Sequence, residues 1–188
     1  TGLNVYSEDI MELAIVSLKG KGKHSYLFNK LLKPQVKCSN GAFNCHHITD
    51  EMAVMIEPFT IAANICEQLK PTSLDTALVY GAGPMGLTVI QALKNVYQVK
   101  QVIVADRIPE RLSMAKASGA DVLIDNTHQP LKETLSAKGI LPTLIIDAAC
   151  HPSILDEATK LISPAGRIGI MGFSSEPCTI TQQAITSK

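Results

Sequence analysis

Five short apolar runs follow one another from residue 77 onward, separated by stretches that we interpret as helices. Each run is rich in β-branched residues and bounded by Gly, Asp or Pro, which is typical of strands buried in a parallel sheet. The runs are Ala77–Tyr80, Val102–Ala105, Val122–Ile124, Leu144–Ile146 and Arg167–Met171. This alternation of strands and helices predicts an α/β fold, in which right-handed crossovers place helices on both faces of the sheet.

Proline and glycine mark the ends of the predicted helices. Pro109, Pro130 and Pro152 stand where helices would begin, and proline suits the first helical position because its missing N–H would have no partner there. Gly119 stands just past Lys116, where a left-handed residue commonly ends a helix. These signals support a helix after each of the strands concerned.

A different pattern precedes this zone. Between about residues 46 and 71 the apolar positions have helical spacing, and Thr49 and Asp50 are suitable N-caps. Pro58 lacks an amide hydrogen and clashes with the preceding turn, so we expect two helical pieces that meet near Glu57–Pro58.

Residues 1–45 show no clean period. Leu13–Leu18 reads as a short strand. We interpret the basic run Lys19–His24 as a solvated loop, because runs of like charge are usually exposed.

The composition is that of an ordinary globular protein, with 46% hydrophobic and 18% charged residues in a chain of 188. Basic and acidic residues number 17 each, so the net charge is zero, which argues against a nucleic-acid or membrane partner for the whole chain. The five cysteines are irregularly spaced, and we find neither a signal peptide nor an apolar run of membrane-spanning length. We therefore expect a cytoplasmic protein with free thiols.

The strongest chemical signal is the G-x-G-x-x-G motif at Gly81–Gly86, which follows the first predicted strand and opens a helix expected to end near Lys94. In such a motif the first glycine permits a tight turn, the second lets a pyrophosphate approach the backbone, and the third allows close packing of helix and sheet. The helix N-terminus then offers free N–H groups and a positive dipole end to the phosphates. The predicted phosphate-binding residues are Gly81, Gly83, Pro84, Met85 and Gly86.

Asp106 completes this pattern, because it ends the second predicted strand, 20 residues after Gly86. Its carboxylate can accept hydrogen bonds from the ribose hydroxyls of an adenosine and would repel a 2′-phosphate, so NAD is favoured over NADP. The neighbouring Arg107 could bind a 2′-phosphate or stack on the adenine, and beside Asp106 we favour stacking. We therefore predict a Rossmann fold, a doubly wound parallel sheet of strand order 3-2-1-4-5. The alternative is a doubly wound fold with a coincidental glycine-rich turn.

Two further strand ends are expected to complete the pocket, because ligands of open α/β sheets bind outside the carboxyl ends of the strands. Ala148 and Ala149 follow the fourth strand, and Gly172 and Phe173 follow the fifth. We expect these four residues to border the nicotinamide half of the cofactor. Asp147 is interpreted as a structural carboxylate bonded to backbone N–H groups. His151, which precedes Pro152, is interpreted as a helix cap.

Several of these motifs occur in the same order in a known family. The segments Ala53–Asn64, Tyr80–Leu87, Ala105–Arg107, Ile146–Pro152 and Met171–Ser175 resemble those of the zinc-type medium-chain alcohol and polyol dehydrogenases, and most closely the bacterial starvation-sensing members of that family. The resemblance implies a zinc-dependent, NAD-linked oxidation of a secondary alcohol on a polyol or sugar acid. It covers residues 47–188, which we interpret as an NAD-binding Rossmann domain with a preceding helical segment.

The resemblance also implies where zinc would bind. Glu57 falls on a position that can supply a ligand to the family's catalytic zinc, but the family's other ligands lie in an N-terminal domain that residues 1–46 do not match. A catalytic zinc needs about three protein ligands. Four potential donors have a spacing that matches no such site: Cys38, Cys45, His46 and His47. We therefore leave residues 1–46 unassigned, as a remnant of a catalytic domain or its replacement, and expect little or no activity from this chain.

Three functions remain open from the sequence. The first is the NAD-binding domain of an alcohol or polyol dehydrogenase, and the second is a non-catalytic dinucleotide-binding or regulatory Rossmann module. The third is an interaction protein that uses the basic N-terminal zone. We predict no sixth strand after Met171, so the fifth strand would lie at a sheet edge, where residues 13–18 or a second copy of the chain could pair.

Overall fold

The structure, a computed structural model, describes residues 14–19, 23–29, 55–180 and 182–186. These residues fall into two units that divide between Thr60 and Ile61. The predicted domain boundary between residues 46 and 47 lies outside the described residues and stays a prediction.

The first unit contains an antiparallel pair of strands, β1 (Ala14–Lys19) and β2 (Lys23–Asn29). The strand predicted near residues 13–18 is therefore confirmed for the residues that the structure describes. The interpretation of Lys19–His24 as a loop is wrong at both ends, because Lys19 pairs with Lys23 and His24 pairs with Leu18. Residues 20–22 lie outside the described residues. The β-prone sequence Tyr26–Phe28 accounts for a strand where charge alone suggested a loop.

Helix α1 (Ile56–Leu69) is continuous. Pro58 lies in the first turn of α1, where backbone N–H groups have no partner within the helix, so a helix begins close to the predicted junction at Glu57–Pro58. The proposed caps Thr49 and Asp50, and the first helical piece, lie outside the described residues.

Five parallel strands form the sheet of the second unit: β3 (Thr76–Tyr80), β4 (Gln101–Asp106), β5 (Val122–Asp125), β6 (Leu144–Asp147) and β7 (Arg167–Ile170). Their spatial order is β5-β4-β3-β6-β7, which is the predicted order 3-2-1-4-5. The Rossmann-type fold class is therefore confirmed. Among the described residues β7 pairs with β6 alone.

Four helices connect or follow these strands: α2 (Pro84–Gln91), α3 (Pro109–Ala117), α4 (Leu131–Ala137) and α5 (Pro152–Leu161). Helix α2 continues into a π-helical turn, Ala92–Val96, and a short helix α6 spans Gln182–Thr186. Pro109 and Pro152 occupy the first helical position as predicted, whereas Pro130 stands one residue before α4. Gly119 has the predicted left-handed backbone, with φ of +107°.

Alternating residues of the central strands fill two apolar cores, because successive side chains of a strand point to opposite faces of the sheet. Val79, Val104 and Ile146 belong to one core. The other core contains Leu78 and Ile145, packed with residues of α4 and α5. Burial on both faces explains why the strands read as continuous apolar runs rather than as alternating ones.

A buried carboxylate joins the N-terminal ends of the strands. Asp75 accepts hydrogen bonds from Thr143 Oγ1 at 2.7 Å and from Thr72 N at 2.7 Å, and it forms an ion pair with Arg167 at 2.5 Å. Burial by itself raises the pKa of Asp75, but the hydrogen bonds from Arg167, Thr143 and Thr72 outweigh burial, so the pKa lies below its ordinary value. Arg167 also donates to the carbonyl oxygens of Leu69 and Lys70, which ties β7 to the end of α1.

A search of the described helices finds none with the length and apolar character needed to cross a membrane.

Candidate dinucleotide site

A cavity of about 720 Å³ opens at the carboxyl ends of the strands in the second unit. Six of the residues predicted to bind a cofactor line it: Gly81, Gly83, Asp106, Arg107, Ala148 and Ala149. They lie at or just after the carboxyl ends of three strands, β3, β4 and β6, which meet because the strands are parallel and adjacent. The position agrees with the general rule that ligands of open α/β sheets bind outside the carboxyl ends of the strands.

The glycines at the start of α2 each avoid a different contact. Gly81 has a φ of +89°, and a Cβ there would lie 3.0 Å from Ala149 Cβ. A Cβ on Gly86 would lie 2.0 Å from the carbonyl oxygen of Gly81. Gly86 is thus required mainly by the turn itself. The sequence had suggested that its role is the close packing of helix and sheet. A Cβ on Gly83 would meet no atom within 4 Å, so the backbone there faces open space.

The N-terminus of α2 is available to an anion. Gly83 is the N-cap residue, Pro84 follows it, and no side chain of the described residues caps this end of the helix. The first hydrogen bond of the helix runs from Leu87 N to Gly83 O at 2.9 Å. The amides of the first turn therefore have no partner within the helix, and together with the helix dipole they suit a phosphate group.

Asp106 has a structural role that the sequence analysis did not foresee. Its side chain is buried, Oδ2 accepts from Ala82 N at 2.7 Å, and Oδ1 accepts from Ile108 N at 2.9 Å. The carboxylate therefore ties the glycine-rich turn to the end of β4. Each carboxylate oxygen has a second lone pair, so one acceptor site per oxygen remains for a ribose hydroxyl.

The exposed Arg107 lines the cavity beside Asp106. Its backbone oxygen accepts a hydrogen bond from Thr127 Oγ1 at 3.2 Å, which connects the loops that follow β4 and β5. The guanidinium is thus in a position to reach a ligand in the cavity, as either of its two predicted roles requires.

Asp147, the last residue of β6, and His151 have the structural roles predicted for them. Oδ1 of the buried Asp147 accepts from Ala149 N at 3.0 Å and from Cys150 N at 2.8 Å. These bonds hold Cys150 at a φ of +61°, a conformation uncommon for residues other than glycine. His151 is the N-cap of α5, and its side chain accepts from Ser153 N at 3.3 Å. Both interpretations are therefore confirmed.

The segment after β7 packs against the segment after β6. A Cβ on Gly172 would lie 1.2 Å from Cys150 Sγ, so only a glycine fits beside this thiol. Burial raises the pKa of Cys150 and the charge of Asp147 raises it further, while a hydrogen bond from the Phe173 backbone lowers it. The Phe173 side chain is 92% exposed, and neither Gly172 nor Phe173 lines the cavity. Their predicted contact with the nicotinamide stays a prediction.

Sequence reasoning missed a polar pair that also lines the cavity. Tyr80 Oη donates to Glu157 Oε2 at 3.0 Å, which joins the end of β3 to helix α5. Ser153, Ile154 and Glu157 all line the cavity. Glu157 lies three and four residues after the other two, which places all three on one face of a helix. This spacing is the feature of the sequence from which they could have been predicted.

The metal prediction rests on residues that are only partly described. Glu57 lies in the first turn of α1, and its four potential partner ligands in residues 38–47 lie outside the described residues. In the part of the chain that the structure describes, no group of three or more His, Cys, Asp or Glu side chains is arranged to hold a metal ion.

Comparison with known proteins gives a consistent result. The family described as zinc-binding dehydrogenase matches residues 84–188. The starvation-sensing protein RspB of Escherichia coli (strain K12) is 65% identical over 141 residues, which are 75% of this chain and 42% of that protein. A sorbitol dehydrogenase of Ovis aries is 28% identical over 138 residues, 71% of this chain and 39% of that protein.

Solved structures agree with the sequence comparison. A crystal structure described as a short chain alcohol dehydrogenase (rspB) from E. coli CFT073, complexed with NADH, matches with a TM-score of 0.73 and 64% identity. The match covers 76% of this chain and 42% of that chain. A 2R,3R-butanediol dehydrogenase from Bacillus subtilis matches with a TM-score of 0.65 and 25% identity, over 74% of this chain and 40% of that one. The chain thus spans about two fifths of the length of these relatives.

Proposed function

This chain belongs to the zinc-binding dehydrogenase family, and we propose that its five-stranded unit binds NAD as the cofactor domain of an alcohol or polyol dehydrogenase. The observation that carries the proposal is the open space over Gly83, next to the uncapped N-terminus of α2 and to Asp106. A pyrophosphate needs backbone that it can approach and unpaired amides that it can contact, and this turn offers both.

Each predicted residue then has a physical task. Gly81 and Gly86 shape the turn, Gly83 leaves room for the pyrophosphate, and the amides after Pro84, beginning with Met85, face the phosphates. Asp106 accepts the ribose hydroxyls with the lone pairs that Ala82 and Ile108 leave free, and its charge disfavours a 2′-phosphate.

The remaining predicted residues enclose the ligand. Arg107 stacks on the adenine, while Ala148 and Ala149 border the cavity where β6 ends. Gly172 and Phe173 border the nicotinamide. NAD, when bound, supplies the hydride acceptor. The residues of this chain bind and orient it.

Zinc has a weaker basis in the described residues. A catalytic zinc requires about three protein ligands, and of the predicted donors only Glu57 is described. The described residues therefore do not fit a zinc site, and we assign no chemical step to zinc. We propose a small-molecule alcohol, polyol or sugar acid as the substrate of the whole enzyme, which is consistent with its sorbitol dehydrogenase relatives.

Two further proposals concern assembly and location. β7 has one sheet partner among the described residues, and Ile170 on it is 49% exposed, so a second copy could pair there and form a homodimer. Ile170→Lys would disrupt such pairing. If the sedimentation coefficient of the parent stays at the value of a monomer at high protein concentration, the proposed homodimer is wrong.

A cytoplasmic location is supported by Cys66, Cys150 and Cys178, which are free thiols.

The test of cofactor binding is a titration of the 188-residue chain with NADH and with NADPH. The chain contains no tryptophan, so the nicotinamide fluorescence can be followed without interference from an indole. We expect NADH to bind at least about tenfold more tightly than NADPH, because Asp106 repels the extra phosphate. Binding of neither dinucleotide would refute the proposal. Equal or tighter binding of NADPH would refute the choice of NAD and make Arg107 the main determinant.

A further inference from the structure

The cavity contains a hydrogen-bonded pair, Tyr80 and Glu157, to which the proposed binding of NAD assigns no task. Tyr80 is 2% exposed, and its hydroxyl donates to Oε2 of the half-buried Glu157 at 3.0 Å. Burial raises the pKa of Tyr80 and the charge of Glu157 raises it further, so the phenol keeps its proton and acts as a donor. The carboxylate of Glu157 is thereby fixed in one orientation at the wall of the cavity.

The position of this pair relates it to the base of the dinucleotide. Tyr80 precedes Gly81 directly and lies in register with Ala105, the neighbour of Asp106. A ribose held at Asp106, with the phosphates at Gly83, leaves the rest of the same cavity for the base. That part has apolar walls, which include Ile108, Leu131 and Ile154, together with the carboxylate of Glu157.

Of the two carboxylates that line the cavity, Asp106 and Glu157, the second keeps an oxygen that no described contact engages. Both oxygens of Asp106 already accept a backbone amide, and their remaining lone pairs face the ribose in the proposed complex. Asn126 Oδ1 has no partner among the described residues, but the atom is fully buried, so a ligand cannot reach it. No described contact engages Glu157 Oε1, and this oxygen is therefore free to accept a hydrogen bond from a ligand.

We propose that Glu157, oriented by Tyr80, determines specificity for the purine of the bound dinucleotide by accepting a hydrogen bond from an exocyclic amino group. This inference rests on the proposed binding of NAD. Adenine carries such an amino donor, whereas hypoxanthine carries an oxygen at the same position, which a carboxylate would repel. A hydrogen bond with a charged acceptor is stronger than a neutral one, and an acceptor facing another acceptor is unfavourable. Tyr80 is a positioning residue in this arrangement.

The test compares NADH with its hypoxanthine analogue in titrations of the 188-residue chain. We expect the parent to prefer NADH by about tenfold or more. Glu157→Gln should bring the ratio of the two dissociation constants close to one, because a glutamine amide can rotate to accept from adenine or to donate to hypoxanthine. Tyr80→Phe should give an intermediate ratio, since Glu157 then loses its orientation. Asp156→Asn, which alters the carboxylate next in the chain that pairs with Lys160, is the matched control and should keep the parent ratio.

The ratio separates base recognition from a purely structural role. If Glu157→Gln weakens both dinucleotides equally, or leaves the parent ratio unchanged, the pair serves only to satisfy the buried phenol and the inference is overturned. Equal dissociation constants of the parent for NADH and its hypoxanthine analogue also overturn the inference, and this result does not depend on whether the variants fold. The proposed binding of NAD would still stand. Failure of the parent to bind either dinucleotide refutes the proposed function, and the inference with it.

Discussion

The two substitutions Gly83→Val and Gly86→Ala lie three positions apart in the same turn, but the first should act on cofactor binding alone and the second on stability. Gly83 has an extended backbone, with φ of −72° and ψ of −177°, and a Cβ there meets no atom within 4 Å. A β-branched side chain suits such a backbone, so the free energy of unfolding should change by less than about 0.5 kcal/mol. The same side chain fills the space that the pyrophosphate needs. We expect NADH affinity to fall at least about 100-fold, which corresponds to roughly 2.7 kcal/mol.

Gly86→Ala should act on stability first. Its Cβ would lie 2.0 Å from the carbonyl oxygen of Gly81, a backbone atom that cannot rotate away as a side chain would. Overpacking of this kind costs about 1–3 kcal/mol, and the melting temperature of a chain of this size falls by about 2–4 °C for each kcal/mol. We therefore expect a decrease of roughly 2–12 °C, with weaker NADH binding as a consequence of the distorted turn.

Thermal unfolding followed by circular dichroism, together with an NADH titration of each variant below its melting temperature, measures both effects. Gly139→Ala is a useful control, because Gly139 lies in open space away from the cavity, and any loss there reflects its φ of +64° alone. If Gly83→Val binds NADH like the parent, the glycine-rich turn is not the cofactor site. If Gly86→Ala has the melting temperature of the parent, Gly86 does not lie as close to the carbonyl oxygen of Gly81 as the structure indicates.

Three further predictions follow from contacts in the second unit. Asp106→Asn should narrow the preference for NADH over NADPH several-fold, since it removes the charge that repels a 2′-phosphate; an unchanged ratio in paired titrations would contradict this. Asp75→Asn should lower the free energy of unfolding by about 2 kcal/mol at pH 7. Because the folded pKa of Asp75 is lowered, its contribution is present above the unfolded pKa of about 3.9 and is lost as the pH falls through the folded pKa. In urea unfolding, the free energies of unfolding of parent and variant should approach each other as the pH falls from 7 to 3. A difference that stays constant would show that the charge of Asp75 does not stabilise the folded chain. Gly172→Ala should lower the free energy of unfolding by about 2 kcal/mol through its clash with Cys150, and adding Cys150→Gly should recover most of this loss. If the change in the double variant equals the sum of the changes in the two single variants, the two residues do not touch.

The local sequence was sufficient to place the strands and to identify the turn. Strands buried on both faces produce apolar runs that need no knowledge of their partners, and the five predicted runs agree with β3 to β7 to within one residue at each end. Gly81–Gly86 could be recognised because its three glycines lie within six residues, directly after a strand, although only Gly81 and Gly86 are required by the backbone of the turn itself. Asp147 and His151 could be interpreted for the same reason, since both bond to amides two or three residues further along the chain.

Contacts between residues distant in sequence were not accessible in this way. The bond from Ala82 to Asp106 spans 24 residues and the bond from Tyr80 to Glu157 spans 77, so no periodicity or motif reveals them. Pro58 shows a related limit, because a proline is harmless in the first turn of a helix and disruptive further in, and only the helix start at Ile56 distinguishes the two. The sequence by itself determined the order of strands and helices and the chemistry of the turn. The tertiary structure decided which polar side chains meet in the cavity, because that depends on how the sheet brings separate strand ends together.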